Sequence, residues 1–251
     1  MCFDQSGILF DEFEKIFSDT FSRRAPVYKQ LVAALADGRQ TFSSVCDEID
    51  KTPTGTISGY LSDLCASGFI AIDRQYSLDT GKKDKHSRYR LRDNYVRFYL
   101  KYIEPERDKI ERGLYRHISV ENLSNFEIIM GFQLENLVLN NLDLVLEKLR
   151  IAPETVKSAS PYFQTKTQRQ ESCQIDLLIH TKHTIYICEI RFRKKVTAKV
   201  IKEVSDKIRK LKYPKHTSIR PVLIHVGGIA SGVESEDYFD KILSLEELLL
   251  P

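Results

Sequence analysis

Three carboxylates and one guanidinium have types and spacing that could do chemistry. Asp176 lies in the run QIDLLIH, Glu189 in TIYICEIRF with Arg191 two residues beyond it, and Glu135 in the longer run FEIIMGFQLENLVLNNLDLVLEKL. Two acidic oxygen donors on neighbouring strands suit a hard divalent ion such as Mg²⁺, which takes carboxylates, retained waters and a phosphate. Such an ion lowers the pKa of an attacking water and offsets charge growing on a phosphate, while a nearby cation orients the phosphoryl oxygens. On that reading Asp176 and Glu189 hold Mg²⁺ or Mn²⁺, Glu135 supports the ion through water, and Arg191 grips phosphate. Spacing alone leaves a second reading open, in which half-buried strand carboxylates pair with Arg or Lys as an internal ion network.

Positioning these groups requires a hairpin and two helices. The two strand-like runs are separated by Thr181, Lys182 and His183, and the simplest connection is a short antiparallel loop. A loop centred on Lys182 sets Asp176 near Glu189, and a slip of one residue would reverse either face. Period two places Asp176 opposite Ile175, Leu177 and Ile179, and puts Glu189 and Arg191 on one face with Ile185 and Ile187. In the preceding helix, Gln133, Asn136, Asn140, Asp143 and Glu147 form a polar stripe. Glu135 projects roughly 120° away from that stripe, beside Phe132, Val138, Leu139 and Leu142, so a polar, basic or metallic partner is expected for it. After the hairpin, Thr197 is expected to cap a helix whose inner side carries Val200, Ile201, Val204, Ile208 and Leu211, and IRPVLIHVGG reads as a buried strand.

Residues 191–215 hold eleven Lys and Arg against Glu203 and Asp206, the strongest charge bias in the chain. Arg193, Lys194 and Lys195 therefore become candidates for contacting a polyanion, against the plainer reading of a solvated helix face.

The N-terminal half has another pattern. Residues 26–70 read as three short helices, with breaks at Asp37-Gly38, before the Thr52-Pro53 segment and at Ser67-Gly68. FIAI and RYRL then make a hairpin, and the order predicts a winged helix-turn-helix. Its loop is basic: between Asp73 and Arg92, seven cations face three acids, with Lys82, Lys83, Lys85 and Arg88 placed to lie along phosphates. The third helix, TPTGTISGYLSDL, has no Arg or Lys to read guanine edges, so sequence-tolerant binding is expected. The stripe Tyr95, Phe98, Tyr99 and Tyr102, behind the capping residue Asp93, marks packing in a connector.

Composition excludes several classes. The chain has 251 residues, 42% hydrophobic and 29% charged, with a formal net charge of +3. No stretch approaches the roughly 18 apolar residues of a membrane span. Acids at positions 4, 11, 12 and 14 argue against a secretory signal, and a cytoplasmic protein is expected. Five cysteines without a C-x-x-C pair give neither a disulfide framework nor a thiolate zinc site. His180-x-x-His183 reads as a hairpin turn, and no nucleophile elbow is present.

These residues resemble the PD-(D/E)XK, or restriction-endonuclease-like, superfamily. Position by position, Glu135 matches the helix carboxylate, Asp176 and Glu189 the metal ligands, and Arg191 the place normally held by Lys. Arg keeps a charge for a phosphoryl oxygen but does not readily deprotonate and is broader than an ammonium. The longer order, a winged helix, then YRLRDNYVRFYLKYIEPERDKIERG, GFQLENLVLNNL and QIDLLI…ICEIR, resembles the C-terminal half of prokaryotic AAA-type ATPases that carry the domain of unknown function 234. The similarity runs from about Phe10 to the end. It implies an α/β (α+β) architecture: a winged helix-turn-helix domain at 1–92, a helical connector at 93–120, and at 121–251 a nuclease-like domain whose mixed central sheet is flanked by helices. It also implies DNA as partner and a separate or missing ATPase domain, because Gly81-Lys82 and GGIASG at 227–232 do not complete a phosphate-binding loop. Three functions stay open: a Mg²⁺-dependent deoxyribonuclease, a non-catalytic DNA-binding module, and an interaction domain for an ATPase. Oligomeric state is left open.

Overall fold

Four phenylalanines at helical spacing dictate the first element. Helix α1 (Ile8–Phe21) buries Phe10, Phe13, Phe17 and Phe21 on one side, and Phe13 stacks on Tyr99 with ring centroids 4.4 Å apart. The structure is a computed structural model that describes residues 2–115, 117–168 and 170–250, the side chains of residues 84–86 excepted. The chain divides into two compact units, Met1–Asp73 with Ser87–Ile129 and Arg74–His86 with Met130–Pro251.

In the first unit, α1 is followed by α2 (Ala25–Ala34), α3 (Phe42–Glu48) and α4 (Gly55–Ala66). Threonine side chains fix two of these starts: Thr41 accepts from the Ser44 amide at 3.2 Å and Thr54 from the Ile57 amide at 3.4 Å. A two-stranded sheet follows, made of β1 (Ile70–Tyr76) and β2 (Lys83–Leu91), whose tip at Arg74–His86 groups with the second unit. Asp93 caps α5 (Asn94–Phe98) by accepting from the Val96 amide at 2.9 Å, a wide π turn covers Tyr99–Ile103, and α6 (Arg107–Glu111) closes the run. Val96, Tyr99, Leu100, Ile103 and Ile110 join the apolar cluster of α1 to α4, so residues expected as a connector are core of this unit. Arg90, counted above among the cations of the wing, is buried instead. Its Nε and that of Arg39 each lie 2.9 Å from the Asp73 carboxylate, a network that satisfies all three charges in a place poor in water.

Helix α7 (Phe126–Asn140), which enters the second unit at Met130, leads into α8 (Leu142–Lys148). The sequence predicts one unbroken helix here, but Asn141 Nδ2 donates to the Leu137 carbonyl at 2.7 Å, taking the acceptor that the next helical N–H would use. Asn141 thus turns the chain, as amide side chains competing for backbone groups do. Asn136, assigned to a polar stripe, is buried. The sheet has the order β3-β4-β5-β6-β7, with β3 (Val156–Gln164), β4 (Cys173–Thr181), β5 (Thr184–Val196), β6 (Ser218–Ile229) and β7 (Lys241–Ser244). Its first three strands are antiparallel and its last two join in parallel, which makes the sheet mixed.

Helix α9 (Lys199–Lys210) lays Val200 and Val204 on Ile185, Ile187 and Leu223. On the other face, Leu134, Val138 and Val145 meet Leu177, Ile179, Cys188 and Ile224. The short helices α10 (Ser231–Ser235) and α11 (Leu245–Leu249) complete an α/β arrangement with helices on both faces. Helix α9 starts one residue later than expected: Ala198 is its N-cap, and the Thr197 carbonyl, not its hydroxyl, accepts from the Val200 amide at 3.1 Å. No described helix is long and apolar enough to cross a membrane.

Between β5 and β6 the register slips between Phe192 and Lys195, an extra residue in β5. Gly227 accommodates the bulge: its φ is +93°, and a Cβ there would lie 1.9 Å from the Arg193 carbonyl oxygen. Gly227→Ala should lower the unfolding free energy, followed through the urea midpoint, by more than the about 1–3 kcal/mol of backbone strain alone. A midpoint equal to that of the parent protein would contradict this account of the bulge.

Candidate active site

The hairpin brings the two strand carboxylates together. Strand β4 pairs with β5 in the register Leu177↔Cys188 and Leu178↔Ile187, which continued by one residue places Asp176 across from Glu189. The Ile190 amide donates to Asp176 Oδ2 at 3.0 Å, locking that carboxylate to the neighbouring strand. Against β3 the pairing runs from Ser160↔Leu178 to Tyr162↔Ile175, so β4 carries an extra residue at Asp176–Leu177. This bulge breaks strict alternation. Ile175 packs with Leu178 and Ile187, not with Leu177 and Ile179 as the period-two reading expects.

Glu189 is fully buried, yet it has two cationic partners. Lys207 Nζ of α9 stands 2.6 Å from Glu189 Oε2, and Arg191 Nη2 pairs with Glu189 Oε1. Burial, and then the charge of Asp176, push the Glu189 carboxyl up to about 7, against the pull of Lys207 and Arg191. Burial opposes the charge on Lys207, but Asp176 and Glu189 outweigh it and hold the ammonium above its ordinary range. Arg191 is raised on balance too: burial opposes its charge, and Glu189, Asp176 and Glu203 more than compensate. Both cations therefore act as fixed positive charges and donors, not as bases.

An open cleft of about 510 Å³ lies over this cluster, lined by Glu135, Asp176, Arg191, Glu203, Asp206, Lys207 and Lys210 among others. The structure thus brings Glu135, Asp176 and Arg191 to one cleft and sets Glu189 beneath it. Lys207 was not singled out from the sequence, where it is one cation in a basic run. A signal was present: Lys207 is seven residues from Val200 and sits within the inner stripe of α9, where an ammonium needs an acidic partner.

Among the described residues no three His, Cys, Asp or Glu side chains form a cage for a metal ion. The donor set nonetheless fits Mg²⁺ or Mn²⁺, which need only one or two carboxylates and complete their shell with water and phosphate. Five carboxylates at or below the cleft face three cations, a formal excess of two negative charges. The other candidates are spread out. Lys82, Lys83, Arg193, Lys194 and Lys195 are exposed, Arg88 is half-buried, and the side chain of Lys85 lies outside the described residues.

Glu189 gives a pH signature without any metal. Its folded value lies above the ordinary carboxylate range, so folding takes up a proton between that range and about pH 7. Its stabilising contribution is full at the acid end of this window and lost as pH rises through about 7. Chemical denaturation in EDTA should therefore show stability falling from about pH 5 to about pH 8. Glu189→Gln should flatten that decline, and an unchanged slope in the variant would refute the assignment.

No family model matches the chain. An uncharacterized protein of Methanocaldococcus jannaschii is 30% identical over 114 residues, which is 43% of this chain and 24% of that protein. The chain thus matches about a quarter of that relative's length. A crystal structure of a Vibrio cholerae protein aligns with 97% of this chain and 54% of its own, at 12% identity and a TM-score of 0.37. The SdaI restriction endonuclease aligns over 90% of this chain and 87% of its own, at 12% identity and a TM-score of 0.26. Both scores are low.

Proposed function

We propose that the chain is a DNA-associated protein whose second unit is a restriction-endonuclease-like core able to hydrolyse phosphodiester bonds with Mg²⁺ or Mn²⁺. One observation carries this reading: Asp176 and Glu189 meet across the β4–β5 hairpin under an open cleft, with Lys207 and Arg191 on Glu189. Asp176 and Glu189 would hold the ion and Glu135 would reach it through water. The ion would supply a water of lowered pKa and charge for the phosphoryl oxygens.

The chain's own residues do the rest. The ammonium of Lys207, fixed by Glu189, supplies the compact positive charge that the superfamily pattern places two residues after the acid, where this chain has Arg191. Arg191 presents its planar fork to a phosphoryl oxygen. The three helices of the first unit and the two-stranded sheet, whose tip at Arg74–His86 groups with the second unit, support a winged-helix role in DNA binding, with Lys82 and Lys83 along the backbone of a duplex. The resemblance to ATPase C-terminal regions makes an AAA-type ATPase domain the proposed protein partner.

A second reading has its own support: both oxygens of Glu189 already face cations, as in a purely internal ion network. Incubation of the protein with plasmid, linear and single-stranded DNA separates the two. The nuclease reading expects cleavage in Mg²⁺ or Mn²⁺ and none in EDTA. Salt-sensitive binding without cleavage in either metal would establish the non-catalytic module, and no binding at modest salt would leave the ATPase-interaction role.

A further inference from the structure

Arg191 is held from two sides by one nitrogen. Its Nη2 contacts Glu189 Oε1 below and lies 2.6 Å from Glu203 Oε2 on α9. The two carboxylates differ sharply in freedom: the Glu189 side chain is 0% exposed and that of Glu203 is 53% exposed. Glu189 cannot leave without stranding a buried charge, whereas an exposed pair is weak and screened by salt. Glu203 also has other places to rest. Lys199, which is exposed, and Lys207 stand four residues before and after it on the same helix, the spacing at which Glu and Lys meet. Both Arg191 and Glu203 line the cleft, so a phosphate entering it meets this pair.

We infer that Glu203 is a phosphate stand-in: its carboxylate occupies the outward donor of Arg191 that a backbone phosphodiester of bound nucleic acid takes, and it swings away when that phosphate arrives. The inference rests on the nuclease-like reading and adds the ligand class and a built-in competitor. An Arg donor suits both groups because carboxylate and phosphate oxygens accept from a guanidinium in the same geometry. Closed over Arg191, Glu203 satisfies the guanidinium in the free protein and sets a threshold that stray anions must overcome. Asp206, one turn on, is a control of equal charge whose ion pair is with Arg209, at 2.8 Å, and not with Arg191.

The test is fluorescence anisotropy of a labelled short duplex with the full chain in EDTA. Glu203→Gln should tighten Kd about five- to tenfold, and Asp206→Asn less than about twofold. In an Arg191→Gln background, Glu203→Gln should give no gain. As a readout that does not depend on that background folding, the slope of log Kd against log salt in Glu203→Gln should match that of the parent protein, because Arg191 makes the same phosphate contact in both complexes once Glu203 has swung away. Equal tightening by Glu203→Gln and Asp206→Asn, or a gain that survives Arg191→Gln, would overturn the inference. Unchanged affinity in Glu203→Gln beside Mg²⁺-dependent cleavage by the parent protein would remove the stand-in and leave the nuclease reading. No affinity for DNA in any variant would remove both.

Discussion

Asp176→Ala is expected to lose Mg²⁺-dependent DNA cleavage by at least about 100-fold, the usual scale for removing one electrostatic contributor to a transition state. Asp176 is buried, accepts from the Ile190 amide at 3.0 Å and lies across from Glu189, so its loss removes a ligand without touching the basic surface. Oligonucleotide affinity in EDTA should stay within about twofold of the parent or rise, because a negative charge near the phosphate path has gone. That split between cutting and binding is the content of the prediction. Parallel losses of both would point to misfolding, which the unfolding midpoint checks, and undiminished cleavage would exclude Asp176 from the site.

Lys207→Met should affect both cleavage and stability. The substitution keeps length and apolar contact on α9 but removes the 2.6 Å contact with Glu189 Oε2. Breaking a buried ion pair from one side typically costs about 3–5 kcal/mol. Here the cost should be smaller, because Arg191 remains and the Glu189 carboxyl, already raised to about 7, can take a proton. Loss of stability should therefore be larger at about pH 8 than at about pH 5.5. Adding Glu189→Gln should restore the unfolding midpoint at the higher pH and leave cleavage at least about 100-fold down. Full activity in Lys207→Met would mean that Arg191 suffices and that the ammonium is structural.

Much of this arrangement is legible from residue types. The position of the loop sets Asp176 against Glu189, whereas alternation does not select the register, because β4 and β5 bury side chains on both faces of the sheet. Asp93 announces a helix start by a mechanism that needs no tertiary context, whereas the third helix begins at Gly55 behind Thr54, later than the Thr52-Pro53 segment suggests. Other features depend on contacts between elements distant in sequence. The bulge at Asp176–Leu177 shows only in the pairing of β4 with β3, and Arg90 reads as a surface cation until Asp73 and Arg39 are seen around it. The N-terminal phenylalanines had the right period for a helix, but their burial depends on aromatic partners such as Tyr99 and Phe69, which lie far along the chain.

Lys207 is the instructive omission. A basic run invites the reading of a solvated face, and for Lys199 and Lys202, both exposed, that reading is sufficient. Helical phase separates Lys207 from them, since it shares the side of Val200 and Val204 that faces the sheet. Scoring each cation of a run by its phase against the apolar stripe would have picked it out.

The most direct test is a titration of Mn²⁺, followed by electron paramagnetic resonance of the free ion, into the parent protein and Asp176→Ala at about pH 8, where Glu189 is mostly a carboxylate. A saturable site in the parent protein that disappears in the variant is the predicted result. No saturable binding in the parent, or a site unaffected by the substitution, would contradict a metal-holding role for the carboxylates beneath the cleft.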